Sequence, residues 1–411
     1  EPGLVQPTRL GCSRVGVGPG LTSDRLARVA ACRQCRPMRS RRRMTLELTD
    51  FDLDTDLDPK TFADDLLAWF DRHGRHDLPW QHPRSAYRVW VSEVMLQQTQ
   101  VSAVIPYFER FMARFPDIAT LSSAPVDDVL ALWAGLGYYA RARNLHRAAQ
   151  AIAADHHGEF PKDFESVLAL PGIGRSTAGA ILAQAFDVPH PILDGNVKRV
   201  LSRLLALTIW PGERAAELAL WQVAERLTPK TRVADYTQAI MDLGATVCTR
   251  AQPACLMCPL KDRCRARQNG TTGTIPRPRP KRTRPRRSTH MLVLIGPDAR
   301  VLLQRRPPDG IWGGLWSLPE SPDPEGIASL LVRLGVDETV CEPLPPVRHG
   351  FTHFELEIQP VLVRSKRIPA CVAESSASDW CRLSPTENGE RGVPAAVATI
   401  LAGLPEFDSG R

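Results

Sequence analysis

The chain has 411 residues, 43% of them hydrophobic, which is enough for two or three domains with cores of their own. No apolar run approaches the roughly 20 residues of a membrane-spanning helix, and none has the pattern of a signal-peptide core. The formal net charge is +7, but residues 1–43 contain ten arginines and two acids and so carry +8, leaving −1 for the remainder. The overall charge is therefore weak evidence for nucleic-acid binding, and any such binding must be inferred from local basic patches.

Residues 1–43 are rich in Gly, Pro and Arg without a sustained hydrophobic period, which is typical of disorder. Arg-rich, acid-poor ends also occur in organelle transit peptides, but the Gly and Pro content argues against an amphipathic targeting helix. Met44 is a candidate true start, with the preceding residues an over-extended reading frame. Cys32 and Cys35 form a Cys-x-x-Cys pair without a βαβ context, and we interpret it as chance.

Apolar residues at helical spacing predict helices over Thr61–Arg72 and Val89–Gln98, and a further apolar stripe runs over Val101–Phe111. The second helix carries Glu93 among apolar neighbours, which predicts a half-buried carboxyl, although a solvated position is far commoner for a helix glutamate. Gln97, Gln98 and Thr99, at the end of this helix and directly after it, have by themselves the composition of an ordinary protein surface. A turn at Leu136–Tyr139 ends a further helix, and its tyrosines are either core residues or platforms for stacking bases.

The stretch Leu170–Leu182 has the pattern of two helices joined by a tight turn. Pro171 disfavours helical geometry before it, and Gly172 and Gly174 permit a left-handed or crowded backbone. The next helix is predicted to start at about Arg175, where unpaired backbone N–H groups suit a phosphate oxygen. Two glycines alone are equally compatible with a tight helical hairpin that binds no ligand.

Asp194 precedes Gly195 and Asn196, and a helix with an apolar stripe follows these residues. Aspartate is a favoured N-cap, so capping is the simplest interpretation of Asp194 taken alone.

Four cysteines are spaced as Cys-x6-Cys-x2-Cys-x5-Cys. They are Cys248, Cys255, Cys258 and Cys264. Four thiolates in so short a span suit an iron–sulfur cluster, and a closed zinc site is the alternative, although zinc sites usually have two separated Cys-x-x-Cys pairs. Basic residues around this loop indicate a DNA-contacting face. The basic residues are Lys261, Arg263, Arg265 and Arg267. The remaining cysteines show no such pattern and are expected to be free thiols in a reducing cytoplasm. They are Cys12, Cys341, Cys371 and Cys381.

An alternating Arg/Pro run from Ile275 to Arg287 contains seven basic residues and no acid. This composition predicts a stiff, extended connector, which either crosses DNA phosphates or stays solvated. Strand patterns follow, and a helix over Pro394–Leu401 closes the chain. The predicted strands include Met291–Ile295, Arg300–Arg306, one that ends at Val363 and a short one that starts at Trp380.

Several of these segments together resemble the MutY family of adenine DNA glycosylases, in the helix–hairpin–helix superfamily. The shared phrases are Leu-Pro-Trp, Ser-Glu-Val-Met-Leu-Gln-Gln-Thr, Gly-Leu-Gly-Tyr-Tyr, the hairpin and Leu-Asp-Gly-Asn-Val-Lys-Arg-Val, in the family's order over about residues 60–405. The resemblance implies an all-α glycosylase domain over 45–268 with a 4Fe–4S loop, after a tail over 1–44. A connector over 269–289 then leads to an α+β Nudix-like domain over 290–405, and a short tail over 406–411 ends the chain.

The activity that the resemblance implies is hydrolysis of the N-glycosidic bond of adenine opposite 8-oxoguanine or guanine, after base flipping. We assign Glu93 as the acid, because its apolar surroundings raise its pKa, and Asp194 as the carboxylate that faces the sugar, kept ionised by its helix start. Asn196 orients Asp194 or a water. Ser176 stands where bifunctional relatives carry a Schiff-base lysine, so we predict a monofunctional enzyme that leaves an abasic site.

The resemblance also assigns the contacts to DNA. Gln98 and Tyr138 fill the gap that the flipped base leaves, and a Phe-Ser-His loop that recognises 8-oxoguanine is matched by Phe351, Thr352 and His353. The other predicted DNA-binding residues are Gln97, Thr99, Leu136, Gly172, Gly174 and Arg175. We further expect a 4Fe–4S cofactor, double-stranded DNA as partner, a monomer, repair-protein contacts through the connector, and a cytoplasmic location at the nucleoid, with an organelle or nucleus left open by the N-terminal tail.

Two other classes of function compete with this hypothesis. A thymine or uracil mismatch glycosylase would use the same scaffold, but the C-terminal reader domain weakens that interpretation. A damage-binding module without activity, or a Nudix hydrolase, is the other class. Glu93 together with Asp194 argues against the binding module, and the segment after Glu320 lacks the carboxylate cluster of a Nudix magnesium helix.

Overall fold

The computed structural model describes residues 57–280, 283–307, 310–337, 340–367, 380–383 and 391–407. The predictions for the N-terminal tail, Cys12, Cys32, Cys35 and Cys371 lie outside these residues. In the described part, no helix is both long and apolar enough to cross a membrane.

An all-helical domain comes first, and its helices are numbered here in chain order. They are α1 (Pro59–His73), α2 (Ala86–Leu96), α3 (Val101–Arg114), α4 (Ile118–Ser123), α5 (Val126–Leu132), α6 (Ala140–Asp155), α7 (Phe164–Ala169), α8 (Arg175–Phe186), α9 (Gly195–Leu204), α10 (Arg214–Leu227), α11 (Val233–Asp242) and α12 (Arg265–Gln268). A π-helical turn, Leu243–Val247, follows α11 directly.

Two hydrophobic cores hold this domain together. The first surrounds Trp90 and Trp133, and the second surrounds Phe62 and Leu201; all four side chains are fully buried. Helix α8 joins the two cores, since some of its apolar side chains pack in one and Ala180 packs in the other. The two halves that the cores define are therefore fixed relative to each other by a shared helix.

The predicted helices are confirmed, with one difference at the end of α2. The pattern predicted helix up to Gln98, but α2 ends at Leu96 with Gln97 as C-cap, and Gln98 has a left-handed backbone with φ of 59°. A residue other than glycine rarely adopts this conformation without support from its surroundings.

Among the described residues, a mixed β-sheet and two helices, α13 (Pro324–Arg333) and α14 (Ala395–Ala402), form the C-terminal part. Its strands are β1 (Arg286–Ile295), β2 (Val301–Arg305), β3 (Trp316–Ser317), β4 (Glu320–Ser321), β5 (Glu342–Pro343), β6 (Val347–Gly350), β7 (Glu355–Arg364) and β8 (Trp380–Leu383). The main path of the sheet runs β3-β2-β1-β7-β5, and β1 pairs in parallel with β7 from Arg286 opposite Glu355. This long pairing explains why β1 starts at Arg286, within the segment for which the sequence predicted a connector.

The helical domain and the sheet contact each other through polar bonds. The Tyr139 hydroxyl donates to the Val393 carbonyl at 3.2 Å, and Arg143 donates to the Gly313 carbonyl at 2.5 Å. An ion pair of 2.7 Å joins Arg305 of β2 to Asp127 of α5. The turn before α6 is therefore held from the side of the sheet as well as from its own domain.

Candidate active site

A cavity of about 1180 Å³ opens in the helical domain, and both predicted catalytic carboxylates line it. Glu93 belongs to α2, in the half with the first core, and Asp194 precedes α9, in the half with the second. Ser176 and Asn196 line the same cavity. The fold therefore brings together four side chains that lie up to about a hundred residues apart in the sequence.

Asp194 is the N-cap of α9, as the sequence predicted. Its Oδ1 accepts a hydrogen bond from the Val197 backbone N–H at 2.8 Å, and its Oδ2 accepts one from the Asn196 amide at 3.1 Å. Burial nevertheless raises the pKa of Asp194 above its ordinary value, while these two hydrogen bonds and the charge of Arg199 act in the opposite direction. The expectation that the helix start alone decides the ionisation of Asp194 was therefore incomplete, because it took no account of how deep the cap lies.

The pKa of Glu93 is raised as well. Burial, with a smaller contribution from the Asp194 charge, raises the pKa of Glu93 to about 7. The amide of Gln184, on α8, donates to Glu93 Oε1 at 2.8 Å and opposes this rise. A carboxyl with this pKa is present in both its acid and its anionic form near neutral pH, which is the requirement for a general acid.

Ser176 holds the backbone in front of Asp194. Its hydroxyl oxygen accepts a hydrogen bond from the Leu193 N–H at 2.9 Å. The contact fixes the segment that ends at Asp194 against the first turn of α8, so Ser176 acts on the position of that carboxylate through the chain.

Arg199 adds a contact that the sequence did not reveal. Its Nη2 donates to Asn196 Oδ1 at 2.8 Å, and its Nε donates to the Cys248 carbonyl at 2.7 Å. A stripe of apolar residues predicts α9, but it does not say which polar residue of that helix reaches the cavity. Gln184 was also missed, since it is a buried polar residue among the apolar residues of the second half of α8.

The predicted DNA-binding residues lie at the mouth of the cavity and on nearby turns. Gln97, Gln98 and Thr99 line the cavity where α2 ends. On the turn before α6, Tyr138 is 52% exposed and left-handed, with φ of 51°, whereas Leu136 is buried. An exposed aromatic ring on a strained backbone is available for stacking against a base.

The hairpin between α7 and α8 has the predicted backbone at Gly172 but not at Gly174, which is neither left-handed nor crowded. Gly172 has φ of +81°, and a Cβ there would lie 2.6 Å from the Cβ of Asn144, so a side chain is excluded on both counts. Gly174 is the N-cap of α8 and has an ordinary extended conformation. The Arg175 guanidinium pairs with Glu225 and lies 3.9 Å from the centre of the Trp221 ring, so the hairpin offers backbone N–H groups more directly than this side chain.

The four clustered cysteines line one pocket. Arg203, Lys261 and Arg267 line it with them. The Arg203 Nη1 lies 3.3 Å from the Cys248 sulfur. Burial raises the pKa of the Cys258 thiol to about 12 and also raises that of Cys264. Among the described residues, no three His, Cys, Asp or Glu side chains are arranged to hold a single metal ion. Four thiols around a shared pocket with adjacent cations are a donor set that fits a cluster of several metal ions.

In the sheet, the predicted 8-oxoguanine loop is the tight turn between β6 and β7. The Phe351 N–H donates to the Phe354 carbonyl at 2.8 Å, and the two rings stack with centres 4.6 Å apart. Thr352 and His353 are exposed at the tip of the turn. The stacked pair thus supports a turn whose tip exposes a hydroxyl and an imidazole group.

Comparison with known proteins follows the same division of the chain. The family model of the HhH-GPD superfamily base excision DNA repair proteins matches residues 91–226, and a NUDIX domain model matches residues 290–403. A thermostable thymine-DNA glycosylase of known structure is 25% identical, with a TM-score of 0.46 over 51% of this chain and 97% of its own.

Curated relatives match over most of the chain. The adenine DNA glycosylase of Buchnera aphidicola subsp. Acyrthosiphon pisum is 37% identical over 340 residues, which cover 83% of this chain and 96% of the relative. The adenine DNA glycosylase of Mus musculus is 34% identical over 409 residues, with 84% of this chain and 77% of the relative covered. The chain belongs to the adenine DNA glycosylase family.

Membership of the adenine DNA glycosylase family confirms the resemblance and the fold class that the sequence motifs predicted. The repair-protein family model spans both Glu93 and Asp194, and the NUDIX model spans the turn at Phe351–Phe354. Both predicted catalytic carboxylates, Glu93 and Asp194, therefore belong to the part of the chain that this superfamily shares.

Proposed function

We propose that this adenine DNA glycosylase excises adenine that lies opposite 8-oxoguanine or guanine in double-stranded DNA and leaves an abasic site. The observation that carries the proposal is the shared cavity of Glu93 and Asp194, in which one carboxyl has a pKa of about 7 and the other accepts two hydrogen bonds. An extruded base enters such a cavity from the duplex.

The chemistry follows from the charges that develop in the reaction. Breaking the bond between adenine and its sugar places positive charge on the sugar and negative charge on the base. The acid form of Glu93 donates its proton to the departing adenine. The anionic form of Asp194, held by Val197 and Asn196, stabilises the sugar cation, and water then completes the hydrolysis.

A monofunctional reaction is supported by the residue that faces Asp194 from α8. Strand cleavage in bifunctional glycosylases starts from an amine that attacks the sugar. Ser176 offers a hydroxyl in that place, and its oxygen already accepts the Leu193 N–H. We therefore infer that the abasic product is released without cleavage of the DNA strand.

Recognition of the opposite base is assigned to the turn between β6 and β7. Thr352 retains the hydroxyl of the serine in the related Phe-Ser-His loop, and it is exposed beside His353. The stacked rings of Phe351 and Phe354 hold the turn, so its two polar side chains project from a fixed base.

We also propose that the four-cysteine pocket holds a 4Fe–4S cluster. The fit rests on four thiols in one pocket with the Arg203 guanidinium beside the Cys248 sulfur. When bound, the cluster supplies iron–thiolate bonds that cross-link residues 248–264. The chain itself positions this segment, since Arg203 also donates to the Thr249 and Arg250 carbonyls at 2.6 and 3.1 Å.

The function is tested with four duplexes that differ in one mispair: A opposite 8-oxoguanine, A opposite G, T opposite G, and A opposite T. Purified holoenzyme is incubated with each, and abasic sites are revealed by alkali. We expect excision from the first two, intact strands before alkali, and no borohydride-trapped adduct in high yield. Excision of thymine in place of adenine, or strand cleavage before alkali, would overturn the proposal.

A further inference from the structure

A buried guanidinium lies between the two strained turns near the cavity. It belongs to Arg141, in the first turn of α6, which is only 8% exposed. The Nη1 atom donates to the carbonyl oxygens of Val94, Met95 and Gln97 at 3.1, 2.6 and 2.7 Å. The Nη2 atom donates to Thr99 Oγ1 and to the carbonyl oxygens of Leu136 and Gly137 at 3.2, 3.4 and 3.1 Å. All six acceptors are neutral, so this arginine organises backbone.

Two of the acceptor carbonyls belong to residues that directly precede a residue with an unusual backbone conformation. Gln97 immediately precedes Gln98, and Gly137 immediately precedes Tyr138. In these two turns, Gln98 and Tyr138 are the residues other than glycine that have a left-handed backbone, with φ of 59° and 51°. Such conformations persist only where the surroundings determine them. A single guanidinium therefore fixes the carbonyl in front of each strained residue.

The charge of Arg141 also completes the end of α2. The last carbonyls of a helix lack intrahelical partners and attract positive charge, but α2 has no basic residue in its own last turn. Burial lowers the pKa of Arg141 to about 10, which leaves it protonated at neutral pH. The Tyr138 ring centre lies 5.5 Å from the same guanidinium, so the cation contacts the side chain as well as the backbone of the second turn.

We propose that Arg141 is a positioning residue that sets Gln98 and Tyr138 at a fixed separation, so that both side chains enter the duplex together when adenine is flipped. The inference rests on the proposed function and on the prediction from the family resemblance that Gln98 and Tyr138 fill the gap left by the flipped base. Lysine cannot replace the arginine, because one ammonium group has three donors at a single point and cannot reach acceptors on two turns.

The test uses Arg141→Lys, with Arg147→Lys as a matched control. Arg147 lies on the same helix but is exposed, and among the described residues its side chain bonds within α6, to Asn144 Oδ1 at 2.6 Å. Two quantities are measured on the duplex with A opposite 8-oxoguanine. One is the single-turnover excision rate, and the other is the fluorescence of 2-aminopurine placed beside the target adenine, which rises when neighbouring bases unstack. We expect Arg141→Lys to lower the rate at least about tenfold and to remove most of the fluorescence rise. The control should match the unmodified protein.

A double-mutant cycle with Tyr138→Ala separates positioning from a general loss of stability. If Arg141 acts through the two turns, Tyr138→Ala lowers the excision rate strongly in the unmodified protein and less than about twofold in the Arg141→Lys background. Effects that multiply would overturn the inference. Thr99→Val removes one acceptor and keeps the shape of the side chain, so it supplies a second, milder variant that should show the same coupling to Tyr138→Ala.

The two proposals fail in distinguishable ways. If the unmodified protein releases no adenine, the proposed function is wrong. If it releases adenine and Arg141→Lys behaves as Arg147→Lys does in both measurements, the proposed function stands and the positioning role of Arg141 is wrong.

Discussion

The cavity of the helical domain and helix α13 of the C-terminal domain differ in how many acidic side chains they contribute. In the helical domain, both carboxylates stand at the wall of one cavity with their supporting amides in place. In the C-terminal domain, α13 packs against the sheet, but its sequence Pro324–Arg333 contains a single acid, Glu325. A fold can thus persist for its packing, while chemistry depends on a few side chains at one place.

Among the variants that test this difference between the two domains, Asp194→Asn should have the largest effect on the excision rate. Asparagine caps a helix about as well as aspartate, so α9 should remain intact while the charge that stabilises the sugar cation is lost. We expect the single-turnover rate of adenine release to fall by at least about 10³-fold, with DNA binding largely unchanged.

Asp163→Asn is the matched control for this prediction. Asp163 caps α7 as Asp194 caps α9, with its carboxylate accepting the Ser166 N–H at 2.8 Å. Its substitution should leave the excision rate unchanged. Rapid turnover by Asp194→Asn would contradict the assignment of the helical cavity as the catalytic region.

The pH dependence should give the next largest effect. Because the pKa of Glu93 is raised to about 7, its acid form is depleted as the pH rises through that value. The excision rate should therefore fall about tenfold for each pH unit well above 7. Glu93→Gln should have little activity at any pH, and the exposed Glu109→Gln should have the profile of the unmodified protein.

A variant of the neighbouring amide sharpens this prediction. The Gln184 hydrogen bond lowers the pKa of Glu93, so Gln184→Leu should raise that pKa and move the falling limb of the profile to higher pH. A limb that stays in place, or one that moves to lower pH, would show that another group controls the rate.

The smallest effect is expected in the C-terminal domain, for which we propose recognition of the base opposite adenine. Thr352→Val removes the exposed hydroxyl at the tip of the turn between β6 and β7. We expect the preference for A opposite 8-oxoguanine over A opposite G to shrink by a few fold, as one hydrogen bond allows. Thr399→Val, on α14, is the control, because in the described part of the chain its hydroxyl bonds to the Ala395 carbonyl of its own helix. An unchanged preference in Thr352→Val would remove this turn from opposite-base recognition.

Prediction from the sequence worked best where local rules determine structure. The N-cap at Asp194, the turn at Gly172 and the periodic apolar stripe of each helix depend on residues within a few positions of one another. It worked less well at the end of α2, where Arg141, more than forty residues away, decides how the backbone leaves the helix. It also placed the start of β1 too late, because parallel pairing with β7 extends that strand.

From local residue types and spacing, the sequence determined the helices, the strands and the four-cysteine loop. Its resemblance to a known family determined the helix–hairpin–helix and Nudix-like architecture and the pair of carboxylates, since Glu93 and Asp194 taken singly have simpler interpretations. Only the tertiary structure decided that Glu93 and Asp194 share one cavity, that Gln184 and Arg199 support them, and that burial raises the pKa of both carboxyls. The physical reason is that burial and hydrogen bonding between distant residues depend on how helices pack, and no short stretch of sequence records that packing.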